Sequence, residues 1–430
     1  MPGAPGLRLL GDAELDPTAL FFVSYQGIVN TASYQQSGLL THAGHQYAAW
    51  YTGSRHAVVA RRRLPHGAWE SVRLPHRLSV DDSHNTISLG VSPVDGRLHV
   101  AMDTHDNQIY YSTVEGPVLR TLDGLDLGAI TYPRFLVTPE GRLQLSYRTG
   151  RSGRGAQELA EYDGTWKALG AWSSPDGEYT ANGATSTSRN MYLHGLHYGP
   201  TGRLHAAFTW REDDTAVLAH PGGLANHDTG YVYSDDRGRR WHNLAGEVVA
   251  RTGTDHLVTV ASPGLVVDPL GVDHGLINQE SLAIDRNCQP HVVISYVPPR
   301  LLPKVSDVVR DREAHGRAFH LYRDVGGRWH KTEIPLPVAA FGRSQLVLGR
   351  DDNAYLVMPY GRILTASAAS GWTDWAPRFE GAGLGAFGEV VVDRARMAAD
   401  GVLSVLYQRP STGDTPSPIH VADFHPTPSP

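Results

Sequence analysis

A sevenfold repeat constrains this chain of 430 residues more than any other feature of its sequence. Each unit is an alternating apolar run, a turn rich in Gly or Asp, and a second alternating run, which is typical of a β-hairpin. The copies are SGLLTHAGHQYAAWY (37–51), HNTISLGVSPVDGRLHVAMDTH (84–105), TYPRFLVTPEGRLQLSYR (131–148), HGLHYGPTGRLHAAFTWR (194–211), QESLAIDRNCQPHVVISY (279–296), RSQLVLGRDDNAYLVMPY (343–360) and DRARMAADGVLSVLYQ (393–408). With the short strands between them, they predict an all-β chain, a seven-bladed β-propeller of four-stranded antiparallel blades.

The units follow one another without a linker, which predicts a single propeller domain over residues 1–424. The middle units are spaced more widely than the others, so we expect insertions there that form a cleft. TALFFVSY (18–25) has no unit of its own, and its pairing with PIHVADF (418–424) would close the ring. The tail HPTPSP (425–430) is predicted to be disordered.

Composition and charge exclude several classes of protein. No apolar run approaches the ~18 residues of a membrane span, and no leader segment is visible, so we expect no membrane partner and either a cytoplasmic protein or a secreted one whose leader has been removed. The net charge of −6 is spread without acidic or basic blocks, which argues against nucleic acid as partner. The single cysteine excludes an internal disulfide and a cysteine-based zinc cluster. We expect a monomer.

Hairpin geometry predicts which polar residues lie together. The residue that opens the first strand of a hairpin lies beside the residue that ends the second, at one rim of the propeller. Applied to three consecutive units, this rule pairs His84 with His105, Tyr132 with Arg148, and His194 and His197 with Arg211. Gln279 and Arg343 open the fifth and sixth units in the same way.

The first two pairs suit β-elimination from a uronic acid. The proton at C5 is removed only when the neighbouring carboxylate is neutralised, and the departing O4 then needs a proton. Arg148 would offset the carboxylate, while His84, His105 and Tyr132 would share the proton transfers, with base and acid left open among them. His194, His197, Arg211, Gln279 and Arg343 are the predicted substrate-binding set.

Other motifs point mainly to structure. SDDRGRRW (234–241) fits the S-x-D-x-G-x-x-W pattern of an Asp box, a turn in which Trp241 packs beneath Asp236 and Gly238. The glycine-rich GRSGRG (150–155) lacks the helix that a phosphate cradle needs. Cys288 is expected to be an ordinary turn or buried thiol. His194 and His197 leave a structural divalent metal open, although the chemistry itself requires no cofactor.

The chain resembles BNR-repeat propellers of the polysaccharide lyase type, a group that includes ulvan lyases and lyases of L-rhamnose-α-1,4-D-glucuronate linkages. The matching segments run from about residue 28 to 408 and include DSHN, DTH, TYPRF, SYR, YLHGLHYGPTGRLH and LINQESLAID. The resemblance implies two histidines, a tyrosine and an arginine around the uronate, and assigns these roles to His84, His105, Tyr132 and Arg148. It also implies a uronate-containing polysaccharide or oligosaccharide as substrate and an unsaturated uronate as product.

Two other function classes stay open at this point, because similar propellers serve several purposes. An α-L-rhamnosidase or another glycoside hydrolase would use a different set of groups and release a saturated sugar. A sialidase is less compatible, since only one Asp box is clear. A non-catalytic glycan-binding propeller would tolerate loss of the acid and base groups, all four of which are present here.

Overall fold

The computed structural model describes residues 3–34 and 37–429, and these residues are almost entirely strands and turns. The strands of the first half are β1 (Gly6–Ala19), β2 (Leu39–His42), β3 (His45–Tyr51), β4 (His56–Arg63), β5 (Glu70–Arg77), β6 (Ser88–Val91), β7 (Leu98–Met102), β8 (His105–Asn107), β9 (Tyr110–Thr113), β10 (Ile130–Val137), β11 (Leu143–Thr149), β12 (Gln157–Tyr162), β13 (Trp166–Ala171), β14 (Asp176–Ala181), β15 (Ala184–Tyr198) and β16 (Leu204–Glu212). Those of the second half are β17 (Asn226–Ser234), β18 (Arg240–His242), β19 (Val248–Arg251), β20 (Val266–Asp268), β21 (Ser281–Ile284), β22 (Pro290–Tyr296), β23 (Arg317–Arg323), β24 (Trp329–Pro337), β25 (Gln345–Leu348), β26 (Ala354–Met358), β27 (Arg362–Ala366), β28 (Ala376–Phe379), β29 (Val391–Val392), β30 (Leu403–Gln408) and β31 (Ser417–Thr427).

The strands form seven antiparallel sheets, numbered here along the chain. Sheet 1 is β2–β5, sheet 2 is β6, β7 and β9, sheet 3 is β10–β13 with β8 at its edge, sheet 4 is β14–β20, sheet 5 is β21–β24, sheet 6 is β25–β28, and sheet 7 is β29–β31 with β1. Six of the seven predicted hairpins are present as antiparallel pairs of strands. The prediction for the seventh unit is wrong in its first half, because residues 394–400 form a helix and β30 pairs instead with residues 391–392, which precede the unit.

Apolar side chains join each sheet to the next. On β3, Ala48 and Trp50 pack with residues of sheet 7, whereas Ala49 and Tyr51 pack with residues of sheet 2. Such alternation is what strands with two buried faces require, because successive side chains point to opposite faces. Equivalent clusters connect sheets 2 and 3, 3 and 4, 4 and 5, 5 and 6, and 6 and 7.

The chain ends meet in sheet 7, but not through the segment predicted from the sequence. β1 pairs with β31 from Gly6↔Thr427 to Ala19↔Ser417, so the N-terminal partner strand is residues 6–19 and the prediction of 18–25 is wrong. β1 is an outer strand with mostly exposed side chains and interrupted register, which hides its alternation. Leu20, Phe21 and Phe22 leave the strand and fill the interior instead. Disorder of the tail is also wrong for residues 425–427, which belong to β31.

The long spacings in the middle of the repeat correspond to insertions. Sheet 4 gains the outer hairpin β14–β15 and the strand β20, and a short helix, α1 (Val308–His315), follows β22. A second helix, α2 (Arg394–Asp400), lies between β29 and β30. Within the described residues, no helix is long and apolar enough to cross a membrane.

Candidate active site

A cavity of about 290 Å³ lies at the ends of the first strands of several sheets. Its lining is aromatic and basic, with amides on one side, and consists of Tyr25, Gln26, Tyr34, His84, His105, Tyr132, Ser152, Tyr192, Arg211, Leu224, Ile277, Asn278, Gln279, Val308, Val309, Phe341 and Arg343. Four lining residues other than glycine have positive φ angles, namely Tyr25 (49°), Gln26 (62°), Tyr132 (57°) and Gln279 (58°). Bulky residues rarely adopt this conformation, and such positions concentrate at functional sites.

The two predicted histidines share one carboxylate. Asp82 Oδ1 lies 2.6 Å from His84 Nδ1, and Asp82 Oδ2 lies 2.6 Å from His105 Nδ1. The two imidazole rings stack, with centroids 4.3 Å apart. These three residues, called the Asp82 cluster below, are held so that the Nδ1 atoms are occupied and each histidine contributes to the cavity wall.

The electrostatics of the Asp82 cluster separate its members. Burial would raise the pKa of the Asp82 carboxyl, but hydrogen bonds from His105 and His84 lower it well below its usual range. The pKa of His84 is lowered to about 4. Burial is the largest cause and the neighbouring His105 adds to it, while the Asp82 carboxylate has the opposite effect. Asp82 is therefore ionised and His84 neutral at neutral pH.

The Asp82 cluster is also the one group of potential metal ligands of its kind among the described residues. Its ligand atoms are hydrogen bonded at 2.6 Å, whereas two ligands of one tetrahedral zinc at ~2.0–2.1 Å are separated by roughly 3.3 Å. The contacts therefore suit shared protons better than a shared ion.

Two tyrosines, Tyr132 and Tyr192, line the cavity with ring centroids 6.2 Å apart, but their surroundings differ. The Tyr192 hydroxyl accepts hydrogen bonds from Arg148 Nη1 at 3.1 Å and from Asn190 Nδ2 at 3.4 Å. Burial raises the pKa of the Tyr192 phenol, but Arg148 and Arg211 outweigh burial and lower it to about 8. For Tyr132, burial dominates and raises the pKa well above its usual value, although the Arg148 guanidinium lies 5.2 Å from its ring. The cationic environment thus favours the phenolate at Tyr192.

Arg148 lies beneath the cavity rather than on its surface. Only 1% of it is exposed, and its second hydrogen bond goes to Thr131 Oγ1 at 3.1 Å. The register partner of Arg148 across β10 and β11 is Thr131 and not the predicted Tyr132, whose ring nevertheless lies 5.2 Å from the guanidinium. Arg211, in contrast, lines the cavity; it is half-buried and its guanidinium lies 5.9 Å from the Tyr192 ring.

The other predicted binding residues divide into two groups. Gln279 and Arg343 line the cavity. Arg343 is held by Glu389 Oε1 at 2.9 Å and by the Asn278 carbonyl at 2.7 Å, and its guanidinium stacks 4.3 Å from the Tyr34 ring. It therefore supports the wall on which Tyr34 and His84 stack.

His194 and His197 do not line the cavity. The prediction that they lie beside Arg211 is wrong, because β15 starts ten residues before His194 and Arg211 pairs with Asn190. Both imidazoles lie inside the molecule: the Glu280 amide donates to His194 Nδ1 at 3.1 Å, and His197 Nε2 lies 3.3 Å from Arg134 Nη2. Burial lowers the pKa of both, that of His194 to about 3.

The remaining motifs have structural surroundings. In the Asp box, Ser234 Oγ accepts from the Gly238 amide at 2.8 Å, and Trp241 is buried against Trp172 with ring centroids 4.1 Å apart. GRSGRG makes a tight turn closed by pairing between Arg151 and Arg154, which brings Ser152 to the cavity.

Cys288 lies outside the cavity lining. It is buried 3.3 Å from His205 Nε2, which is itself buried, and burial lowers the pKa of that histidine to about 3.

Asp82, Tyr192 and Tyr34 were not predicted from the sequence. Asp82 is two residues before His84 and also accepts from the His84 amide at 2.8 Å, so an Asp-x-His spacing was the available signal. Tyr192 stands two residues before His194 in the interior of β15, and no local pattern in the sequence marks it as lining a cavity.

The chain is similar to curated proteins over part of its length. Over 268 residues the chain is 24% identical to the long isoform of an ulvan lyase from Pseudoalteromonas sp. (strain PLSV), a match that covers 48% of this chain and 26% of that relative. The chain thus spans about a quarter of the length of this curated relative.

Solved structures agree in fold over nearly the whole chain. The polysaccharide lyase Uly1 superposes with a TM-score of 0.70 at 16% identity, covering 97% of this chain and 99% of that one. A PL25 ulvan lyase bound to -[GlcA(1-4)Rha3S]- superposes with a TM-score of 0.64 at 13% identity, covering 96% of this chain and 95% of that one. The profile of the BNR repeat-containing family matches residues 45–336, and the chain therefore belongs to the BNR repeat-containing family.

Proposed function

We propose that this protein is a polysaccharide lyase that cleaves a 4-linked uronic acid glycoside by β-elimination. The observation that carries the proposal is the Tyr192 hydroxyl, which accepts a hydrogen bond from Arg148 in a cavity that is also lined by His84 and His105. A phenol with a pKa near 8 is matched to proton abstraction close to neutral pH.

The seven sheets are proposed to be the blades of one propeller domain. Apolar clusters join each sheet to its successor, and a further cluster joins sheet 7 to sheet 1, as a closed ring requires. In such a ring the first strands line the axis, where a ligand site is expected. The cavity at the ends of these strands fits that position.

In the proposed reaction, Arg211 pairs with the uronate carboxylate and so makes the C5 proton more acidic. The Tyr192 phenolate takes this proton, the C5–H electrons form the C4=C5 double bond, and the C4–O4 bond breaks. His105 gives a proton to the departing O4, so the products are a free hydroxyl and an unsaturated uronate. Arg148 serves by keeping the Tyr192 pKa low.

The other two predicted groups receive supporting roles. His84 is neutral and stacked between Tyr34 and His105, which suits it to a hydrogen bond with substrate rather than to acid catalysis. Tyr132 keeps its proton because burial raises its pKa, and a phenol of that kind is a weak acid. Histidine is the side chain that ordinarily exchanges protons near neutral pH, which favours His105 as the donor.

A uronate-containing glycan is the proposed substrate class. The wall of aromatic rings with arginines at one end resembles a site for a sugar ring bearing one carboxylate. The names of the relatives point in the same direction, since they act on ulvan, and one was solved with a GlcA–Rha3S oligosaccharide. We further propose that the protein acts as a monomer and that the elimination itself needs no cofactor.

The decisive experiment incubates the protein with ulvan and with rhamnosyl-glucuronate oligosaccharides and follows the ultraviolet absorbance of unsaturated uronate. Tyr192→Phe should lower the rate ~10²–10⁴-fold, as expected for loss of a positioned base. Tyr132→Phe is the matched control and should lose less, because that phenol keeps its proton. A saturated product would instead identify a glycoside hydrolase, and binding without product would identify a lectin-like propeller.

A pH profile separates the two arginines. Activity should rise with pH through about 8 as Tyr192 ionises, and Arg148→Lys should move this limb to higher pH, because a point charge cannot reproduce the planar guanidinium contact. Arg211→Lys should chiefly raise KM for uronate substrates. Equal effects of both substitutions on KM, with no pH displacement, would contradict the division of roles.

A further inference from the structure

A second groove, of about 490 Å³, lies at the outer edge of sheets 1 and 2. It is formed by the end of β5, the start of β9 and the loop that follows β9, and its walls are Pro75, His76, Arg77, Tyr110, Pro117, Val118 and Arg120. None of these residues belongs to the cavity described above. Nothing in the proposed reaction uses the groove.

The groove and the active site share supporting residues. β5 ends at Arg77, just before the loop that carries Asp82, and β9 begins just after the segment that carries His105. His76 Nε2 lies 2.8 Å from Asp103 Oδ2, and Asp103 precedes His105 by two residues. The Ser79 amide also donates to Asp103 at 2.8 Å. The groove is therefore connected to the segments that carry Asp82 and His105 through the end of β5 and through Asp103.

The groove is positively charged although the whole chain carries a net charge of −6. Arg77 and Arg120 are exposed, and neither forms an ion pair within the described part of the chain. Arg77 also affects a neighbouring histidine. The pKa of His56 is lowered by desolvation and by the positive charges of Arg73 and Arg77. A groove of this kind matches an anionic ligand.

The walls also suit a sugar ring. The Tyr110 ring contacts two side chains. Its centroid lies 4.3 Å from that of the His76 ring and 5.3 Å from the Arg120 guanidinium. Pro75 and Pro117 present apolar surface beside these polar groups. Aromatic and proline faces contact the C–H face of a pyranose, while guanidinium groups pair with its carboxylate or sulfate ester.

We propose that this groove is a distal subsite for an anionic sugar of the same polymer, beyond the bond that is cleaved. The inference deepens the proposed function and rests on it for the identity of the polymer. The bound group is a carboxylate or a sulfate ester, which share the guanidinium chemistry used here. The subsite acts on long substrates, because a short oligosaccharide that fills the cavity does not reach Arg77 and Arg120.

Turnover of long and short substrates tests the proposal. Arg77→Gln and Arg120→Gln should each raise KM for polymeric ulvan about two- to fivefold, as expected for an exposed ion pair, and the double substitution about tenfold. The ratio of kcat/KM for polymer to that for the shortest cleaved oligosaccharide should fall by the same factor. Arg8→Gln, which removes an exposed arginine of sheet 7, is the matched control and should leave this ratio unchanged.

Retardation in a gel that contains ulvan provides a measurement independent of catalysis. The double variant should migrate faster than the wild type and the Arg8→Gln protein, and desulfated ulvan should show whether sulfate or carboxylate carries the contact. Equal retardation of all three proteins, or equal losses on long and short substrates, would overturn the subsite. If the wild type forms no unsaturated product, the lyase proposal fails, while the gel still decides whether the groove binds the polyanion.

Discussion

Two pairs of histidines differ in the groups that surround them. His84 and His105 flank the carboxylate of Asp82 and face the cavity, whereas His194 and His197 are enclosed by protein near buried arginines. In sequence both pairs belong to aligned units of the repeat and are equally plausible. The neighbouring groups distinguish them, because the first pair lines the cavity and is held by a carboxylate, whereas the second lies outside the cavity lining, and burial together with arginines lowers the pKa of both its rings.

The largest expected effect comes from removing one imidazole of the pair that lines the cavity, His84 and His105. His105→Ala should reduce formation of unsaturated uronate ~10²–10⁴-fold, since it removes the proposed proton donor to O4. A substrate with a better leaving group at C4 should recover much of this rate, because such a group departs without protonation. Initial rates with both substrates make the measurement.

His194→Asn is the matched control for His105→Ala. Asn offers an oxygen in place of Nδ1 to the Glu280 amide and should keep most of the activity. If His105→Ala retained wild-type rates, or if His194→Asn abolished turnover in a folded protein, the contrast between the pairs would be wrong.

Asp82→Asn should have a smaller effect on the same pair. The amide can accept a hydrogen bond from one imidazole but cannot hold both, so one ring loses its fixed orientation. We expect kcat to fall roughly 10- to 100-fold, in the range found when orienting partners of functional histidines are removed, with little change in KM. Asp82→Glu, which restores a carboxylate, should recover part of the loss.

The pH profile distinguishes orientation from a general loss of packing. The limb near pH 8 follows the Tyr192 phenol, whose pKa is lowered by Arg148 and Arg211, so Asp82→Asn should lower kcat without moving this limb. A general packing defect would disturb these arginines as well and move it. An Asp82→Asn enzyme with wild-type kcat would remove Asp82 from the list of positioning residues.

The sequence predicted the repeat well because its signal is local. Alternation and turn residues lie within single hairpins, and six of the seven predicted hairpins are present, whereas the first half of the seventh unit forms the helix α2. The closing strand was misplaced because the apolar segment ALFFV fills the interior, while the true strand, β1, is exposed and irregular. Hydrophobicity reports burial, and burial was mistaken here for strand formation.

Two residue pairs that hairpin geometry predicted lie close together, although neither is a register pair. The rings of His84 and His105 stack, and Arg148 lies 5.2 Å from the Tyr132 ring, but Arg148 and His105 both pair with Thr131. The hydrogen bond from Arg148 to Tyr192 joins different sheets, so no hairpin rule could find it. The depth of His194 could not be predicted either, because it depends on the full length of β15.

The smallest expected effect concerns stability and the enclosed pair. The pKa of His194 is about 3 in the folded protein, against 6.5 for an ordinary histidine, because burial disfavours the imidazolium. Between these pH values the unfolded chain binds a proton that the folded protein does not, so the free energy of unfolding rises with pH. The contribution of His194 to stability is therefore lost progressively as the pH falls below about 6.5. One such group contributes a slope of ~1.4 kcal/mol per pH unit. Urea unfolding of the wild type and His194→Asn between pH 4.5 and 6 should therefore show a slope shallower by about this amount in the variant. Parallel slopes would mean that His194 is protonated in the folded protein, and the two histidine pairs would then no longer differ in the way their surroundings indicate.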